Sequence, residues 1–116
     1  MFVNGTATFQ DSAQSKYLGD CYFIAGISAM AEYSERLKKA FVIQEMNKSG
    51  ILAFNMWVKG IPVVVTIDDI LPFESVSGIS KPFFSDIGLN GALWGPLLEK
   101  VWAKINGNYE RTAAGW

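Results

Sequence analysis

The sequence contains no histidine, and this absence limits its chemistry more than any other feature. A cysteine becomes a strong nucleophile when an imidazole stabilises its thiolate, and these 116 residues cannot supply one. Cys21 is the single cysteine, so an internal disulfide is excluded and no resolving thiol is present for a redox-sensing role, the weakest of three interpretations. Because proteins of reducing compartments use few disulfides, we expect an intracellular, cytoplasmic protein.

A strong charge of one sign is also missing. The formal net charge is −1, so no global field favours binding to nucleic acid or to an anionic membrane surface. No apolar run approaches the roughly 20 residues of a membrane-spanning helix. The N-terminus lacks the basic flank and the long apolar segment of a signal peptide. We therefore expect neither a nucleic-acid partner nor a membrane.

The sequence does have enough apolar residues for a core, since half of the chain is hydrophobic. After Cys21, apolar positions such as Ile27 and Ala31 recur at helical spacing, which predicts a helix that begins at the cysteine. A short second helix is predicted over residues 34–39, with Ser34 as its N-cap. The first 13 residues read as an extended loop.

The middle of the chain predicts a β-hairpin. Residues 50–58 and 61–67 are rich in β-branched and aromatic side chains and flank a Lys-Gly pair. Asp68 and Asp69 end the second strand. Paired carboxylates in this position more often cap the following turn than bind a metal or carry acid/base chemistry.

The last third of the chain predicts a loop followed by an amphipathic helix. Residues 73–90 contain proline, glycine and serine throughout and read as a long loop. Residues 92–105 read as a helix, with Glu99 and Lys104 outside its apolar stripe. The stripe contains Leu93, Leu97, Leu98, Val101, Trp102 and Ile105. The order helix, hairpin, helix indicates an α+β fold in which the two longer helices pack together.

The position of Cys21 at a helix start raises the question of its reactivity. A lone cysteine is most often a small buried apolar residue. At a helix N-terminus, however, unpaired N–H groups and the dipole stabilise an anion by about 0.3–1 kcal/mol. The carboxylate of Asp20 opposes this effect unless it points away. A strong nucleophile at Cys21 therefore needs an imidazole from outside these residues.

Four stretches, in the same order, resemble those of one family. They are "FVNGTATFQDSAQ", "LGDCYFIAGISAMAE", "VTIDDILP" and "LWGPLLEKVWAKINGNYE". Together they cover nearly the whole chain, and each is similar to a segment of the calpains, the papain-like cysteine endopeptidases activated by calcium. The second stretch resembles the segment that bears the family's nucleophile.

The resemblance implies that Cys21 is a nucleophile that forms a thioester with a peptide carbonyl. It also implies an oxyanion hole made by the backbone N–H of Cys21 and the side-chain amide of an upstream glutamine. Gln14 is the candidate, but it stands seven residues before Cys21, where the family has six. Ser15 occupies the ungapped position. One extra residue therefore lies between Gln14 and Leu18.

The resemblance further implies a calcium site, which this sequence supplies only in part. The carbonyls of Asn4 and Thr6 and the carboxylate of Asp11 match family ligands, but Ala92 stands where the family has a glutamate. Asp86 is not in register to replace it. Because calcium requires several oxygen ligands, carboxylates above all, we expect a vestigial or very weak site and no required cofactor.

In the family, a second subdomain supplies the catalytic histidine and asparagine. Residues 1–116 therefore resemble a single subdomain, the nucleophile half of an intracellular endopeptidase that cleaves protein substrates. We expect it to be inactive as this isolated chain. The alternative is a catalytically dead module used for protein–protein interaction or assembly. Both interpretations predict a partner, a second protease half or another protein, on the apolar face beside Cys21.

Overall fold

The computed structural model describes residues 1–11, 18–88 and 91–113, which form a mixed α+β unit. The longer elements are the helices α1 (Cys21–Ala31), α2 (Ser34–Lys38) and α3 (Trp94–Asn106), and the strands β1 (Ile51–Val58), β2 (Ile61–Asp68), β3 (Phe73–Val76) and β4 (Ile79–Pro82). Two short 3-10 turns, Phe9–Asp11 and Glu110–Thr112, lie near the ends. The predicted fold class is confirmed.

Helix α1 begins at Cys21, as the apolar spacing predicts. The backbone carbonyl of Asp20 accepts hydrogen bonds from the N–H groups of Phe23 and Ile24 at 2.9 and 3.2 Å, which closes the first turn. Ile24 and Ala31 lie on the face of the helix that is buried in the core.

The predicted helix after α1 is present, but the prediction that Ser34 is its N-cap is wrong. Tyr33 occupies the N-cap position, and Ser34 is the first helical residue. The hydroxyl of Ser34 accepts a hydrogen bond from the backbone N–H of Ala7 at 2.9 Å. Ser34 therefore holds the N-terminal segment instead of capping its own helix.

The predicted hairpin is confirmed as the antiparallel pair of β1 and β2. Leu52 lies opposite Ile67, and the register continues to the turn without a bulge. Lys59 and Gly60 both have positive φ, 51° and 80°, which is the geometry of a tight two-residue hairpin turn. One face of the hairpin packs Leu52 and Phe54 into the core.

The prediction of a long loop over residues 73–90 is wrong, because β3 and β4 form a second antiparallel hairpin there. Ser77 and Gly78 make its turn with φ values of 53° and 79°. Most residues of these four-residue strands are exposed, so no alternation of buried and polar positions marks them. The Ser-Gly turn is the one local signal of this hairpin.

Helix α3 contains Pro96 in its first turn, where a missing N–H costs nothing, and ends before Gly107 at φ 104°. Its apolar stripe packs against α1 and the first hairpin. The core comprises Ile24, Ile27, Ala31, Leu37, Phe41, Leu52, Phe54, Ile67, Trp94, Leu97, Leu98 and Val101, among others.

The expected exposure of Glu99 is wrong, because this side chain is only 2 % exposed. No helix among the described residues has the length and apolar character to cross a membrane.

Candidate active site around Cys21

Cys21 is a solvent-exposed free thiol at the first position of α1. It is therefore not the buried apolar residue that a lone cysteine usually is. Within the part of the chain that the structure describes, no hydrogen bond uses the backbone N–H of Cys21. A group in this position can donate to an oxyanion that forms beside the sulfur.

The two residues after Cys21, Tyr22 and Phe23, contact α3. The indole Nε1–H of Trp102 donates to the hydroxyl of Tyr22 at 2.9 Å. That hydroxyl in turn donates to the backbone carbonyl of Thr112 at 3.0 Å. The ring of Phe23 stacks on Trp102, with 5.1 Å between centroids and 5° between planes. These contacts hold the residues that follow Cys21 against α3.

Asp20, the residue before Cys21, contacts the same helix. The Asp20 side chain is fully buried and does not cap α1. The carboxyl group of Glu99 lies beside it, and neither oxygen of Asp20 receives a hydrogen bond from a donor among the described residues. Oε2 of Glu99 accepts a hydrogen bond from the backbone N–H of Ser85 at 2.9 Å. Thus α3 holds the chain on both sides of the candidate nucleophile.

Burial governs the protonation of this carboxyl pair. Burial raises the pKa of Glu99 to about 8 because the charged form loses its contact with water. The neighbouring Asp20 raises this pKa further, and the hydrogen bond from the Ser85 N–H lowers it. Burial also raises the pKa of Asp20. Sequence reasoning missed this pair, and the one signal for it is the position of Glu99 three residues before Trp102, on the side of α3 that meets α1.

Tyr109 adds a third titratable group to this region. Its ring stacks on Phe84 at 3.8 Å between centroids. Burial, together with the nearby Glu99, Asp68 and Asp20 carboxyl groups, raises the pKa of the Tyr109 phenol, so it stays neutral. The buried region around Asp20, Glu99 and Tyr109 therefore disfavours additional negative charge.

The outer face of α1 carries no charge. Its exposed positions are Cys21, Ala25, Gly26, Ala29 and Met30. Because its opposite face is buried in the core, this helix is apolar all round, a pattern typical of helices covered on both sides. Cys21, Ala25 and Ala29 recur at a spacing of four residues and form one stripe that starts at the thiol. We call these five positions the α1 outer face.

The sequence of this chain is similar to those of known proteins over its whole length. The family described as "Calpain family cysteine protease" matches residues 1–116. This chain belongs to the calpain family. It is 34% identical over 117 residues to the calpain-2 catalytic subunit of Homo sapiens, covering 98% of this chain and 16% of that protein. It is 33% identical over 112 residues to the calpain-type cysteine protease DEK1 of Zea mays, covering 97% of this chain and 5% of that protein.

The chain is also similar to calpain-8 of Mus musculus, with 36% identity over 118 residues that cover 98% of this chain and 16% of that protein. It therefore spans only a small part of each of these relatives. What the calpain family establishes for this chain is a fragment of a cysteine protease catalytic domain.

The second oxyanion donor that the calpain resemblance implies is outside the described residues. Gln14 and the alternative Ser15 both lie in the segment 12–17, so their relation to Cys21 stays a prediction. Leu18, the first described residue after this segment, is buried. It anchors the chain two residues before Asp20.

The predicted calpain calcium ligands begin in a tight turn. Asn4 and Gly5 have φ values of 51° and 69°, and the N–H of Thr6 donates to the carbonyl of Val3 at 3.0 Å. Asp11 ends the first 3-10 turn.

The position of the missing glutamate lies next to this N-terminal segment. The N–H of Leu93 donates to the carbonyl of Met1 at 3.0 Å, so Ala92 is one residue from that contact. Ala92 is fully buried and has no side-chain oxygen. Among residues 1–11, 18–88 and 91–113, no three His, Cys, Asp or Glu side chains form a metal-binding group. The expectation of a weak calcium site rests on the missing carboxylate at position 92 and stays a prediction.

Asp68 caps the turn that follows β2, as predicted for this position. Oδ1 of Asp68 accepts the N–H of Ile70 at 2.9 Å. The ammonium group of Lys100 forms an ion pair with Asp68 and also donates to the Ile70 carbonyl. The hydrogen bond from Lys100 is the main cause that lowers the pKa of Asp68.

Proposed function

We propose that this chain is the nucleophile-bearing half of a calpain-type intracellular cysteine endopeptidase. The observation that carries the proposal is the exposed Cys21 thiol at the start of α1, with α3 fixing the residues on both sides of it. The substrate is a protein chain, and the bond attacked is a peptide bond.

In the proposed reaction, the Cys21 thiolate attacks the carbonyl carbon of the peptide and forms a C–S bond. The carbonyl oxygen becomes an oxyanion, which the Cys21 N–H and the Gln14 amide stabilise. Such preorganised donors are typically worth about 3–4 kcal/mol each to the transition state. The C–N bond then breaks, the amine leaves with a proton, and water later hydrolyses the thioester.

The proton transfers in this sequence need a base that the chain does not contain. The thiol proton must pass to an imidazole and then to the leaving amine. Since none of the 116 residues is histidine, a second half must supply the imidazole and the asparagine that orients it. The isolated chain is therefore inactive.

The α1 outer face is the surface proposed for docking that second half. It begins at Cys21, and it carries no charge that docking would have to desolvate. Docking there would place an imidazole beside the sulfur and cover the helix on its open side. No cofactor is required for this assembly, and calcium binding is proposed to be very weak because Ala92 offers no carboxylate.

A second candidate is a catalytically dead calpain module that binds or assembles other proteins. The extra residue between Gln14 and Leu18 and the alanine at position 92 favour it. In that case the Cys21 thiol is retained without a peptidase role, and another protein covers the α1 outer face.

Complementation separates the two candidates. The chain is mixed with a histidine- and asparagine-bearing half taken from a calpain relative, and Cys21 is probed with an epoxide inhibitor of cysteine proteases. We expect labelling only when both halves are present. Cys21→Ser is the matched control and must abolish the label. A second half that docks without producing label would contradict the protease proposal and support the assembly module.

A further inference from the structure

The Asp20–Glu99 carboxyl pair is the most unusual feature of the buried interior. Asp20 is completely buried, and Glu99 is 2 % exposed. If both groups were ionised, neither oxygen of Asp20 would have a hydrogen-bond donor among the described residues. Unpaired buried charges of like sign are strongly unfavourable. The arrangement is satisfied when one of the two carboxyl groups keeps a proton and donates it to the other.

We propose that Asp20 and Glu99 share one proton, and that this hydrogen-bonded pair fixes the start of α1, so that Glu99 is a positioning residue for Cys21. Asp20 is adjacent to the cysteine, and its own carbonyl closes the first turn by accepting the Phe23 and Ile24 N–H groups. A displacement of the Asp20 side chain is therefore transmitted directly to that turn.

The groups around the pair favour a retained proton. The Ser85 N–H donates to Glu99, and together with the Ser85 hydroxyl beside that carboxyl group it stabilises one negative charge. Tyr109, which lies near both carboxyl groups, stays neutral and adds no positive charge. Lys100, the nearest cation along α3, is engaged by Asp68 and the Ile70 carbonyl. The described residues thus provide compensation for one charge on the pair but not for two, which agrees with the raised pKa of Glu99.

The shared proton has two consequences at Cys21. It limits the negative charge behind the thiol to one, which reduces the repulsion that a thiolate at this position would feel. It also joins the start of α1 to α3 at neutral pH. At alkaline pH the proton leaves to solvent, the two carboxylates repel each other, and the first turn of α1 loosens. The catalytic relevance of this positioning rests on the proposed function, but the positioning itself does not.

Infrared spectroscopy of the 116-residue chain tests the shared proton directly. At pH 6 we expect one protonated-carboxyl stretch in the wild type. Glu99→Gln and Asp20→Asn should both lack it, since in each variant an amide N–H replaces the shared proton. Glu32→Gln, at the exposed far end of α1, is the control and should keep the band. Absence of the band in the wild type, or its survival in Asp20→Asn, would overturn the proposal.

Amide hydrogen exchange tests the positioning role. Between pH 6 and 9, the protection factors of the Phe23 and Ile24 amides in the wild type should fall by about tenfold or more. This is the change expected when the pH rises one unit above the pKa of the shared proton. The Asn55 amide, which is bonded to the Ala40 carbonyl, should keep its protection. In Glu99→Gln all three should be constant. If all amides lost protection together, or none did, Glu99 would not position the first turn.

Neither measurement uses a second protease half. A failed complementation would therefore remove the proposed function and leave this proposal intact. Conversely, a chain that is labelled normally by the epoxide probe in complementation, but shows no protonated carboxyl at pH 6, would keep the protease function and lose the shared proton. The pH series on the wild type also remains decisive if a variant fails to fold.

Discussion

Trp102 on α3 donates its indole N–H to the hydroxyl of Tyr22 on α1 at 2.9 Å, one residue beyond the candidate nucleophile. The same hydroxyl donates to the carbonyl of Thr112, so Tyr22 satisfies two buried or partly buried groups at once. With the Asp20–Glu99 contact on the other side, α3 fixes Cys21 from both directions along the chain. The geometry of the nucleophile is therefore a property of helix packing and not of α1 alone.

Removal of the Tyr22 hydroxyl should destabilise the fold. Tyr22→Phe leaves the Trp102 N–H and the Thr112 carbonyl without their partner, which typically costs about 1–3 kcal/mol in the free energy of unfolding. Tyr33→Phe is the matched control, because this side chain is 57 % exposed and its change should stay within about 0.5 kcal/mol. Urea denaturation measures both. Equal midpoints for the two variants would show that the Tyr22 bonds do not stabilise the packing.

The stability of the chain should fall between pH 5 and pH 8. Folding raises the pKa of Glu99 from 4.5 to about 8, so the folded state holds a proton that the unfolded state has lost. The contribution of Glu99 to the unfolding free energy is then greatest below pH 4.5 and decreases by up to about 1.4 kcal/mol per pH unit until pH 8. The raised pKa of Asp20 acts in the same direction.

The absence of histidine makes this window easy to interpret, because no imidazole titrates in it. Urea midpoints measured across the range should decline in the wild type and remain nearly constant in Glu99→Gln. Glu32→Gln should follow the wild type, since Glu32 is exposed. A wild-type profile that rises with pH would contradict the assignment of the proton to the folded pair.

Calcium should bind weakly or not at all at concentrations up to about 1 mM, because the position of the family's glutamate ligand is Ala92. Calorimetric titration of the metal-free chain provides the measurement. A clear micromolar isotherm that disappears in Asp11→Ala but persists in Asp86→Ala would show that another ligand replaces the glutamate. In that case the weak-site prediction would be wrong.

A charge on the α1 outer face should block the second half without unfolding the chain. Ala29 is exposed, and lysine has nearly the helix propensity of alanine, so Ala29→Lys should change the unfolding free energy by less than about 0.5 kcal/mol. Docking would desolvate the new ammonium group and should reduce epoxide labelling in complementation by about tenfold or more.

Val64→Lys provides the control for that experiment. Val64 is 63 % exposed on β2, away from the α1 outer face, so its substitution should leave labelling unchanged. Equal labelling of both variants would place the second half on another surface. Equal loss in both would point to a general effect of added charge.

Local patterns were sufficient for the elements whose signals lie within a few residues. The start of α1 at Cys21, the Lys59–Gly60 hairpin turn and the end of α3 at Gly107 follow from helical spacing and from backbone angles that the local residues prefer. The second hairpin was missed because its strands are short and mostly exposed, so burial leaves no alternation in their sequence.

The sequence by itself determined the family, the helix that begins at the cysteine, and the need for an imidazole from elsewhere. Only the tertiary structure decided which polar groups are buried together. Asp20 and Glu99 are 79 positions apart, and Ser34 and Ala7 are separated by 27. A periodicity argument assigns each side chain to the inside or the outside of its own element, as it did for Glu99. Whether that side chain is then covered, and by what, depends on an element distant in sequence, and no local pattern contains that information.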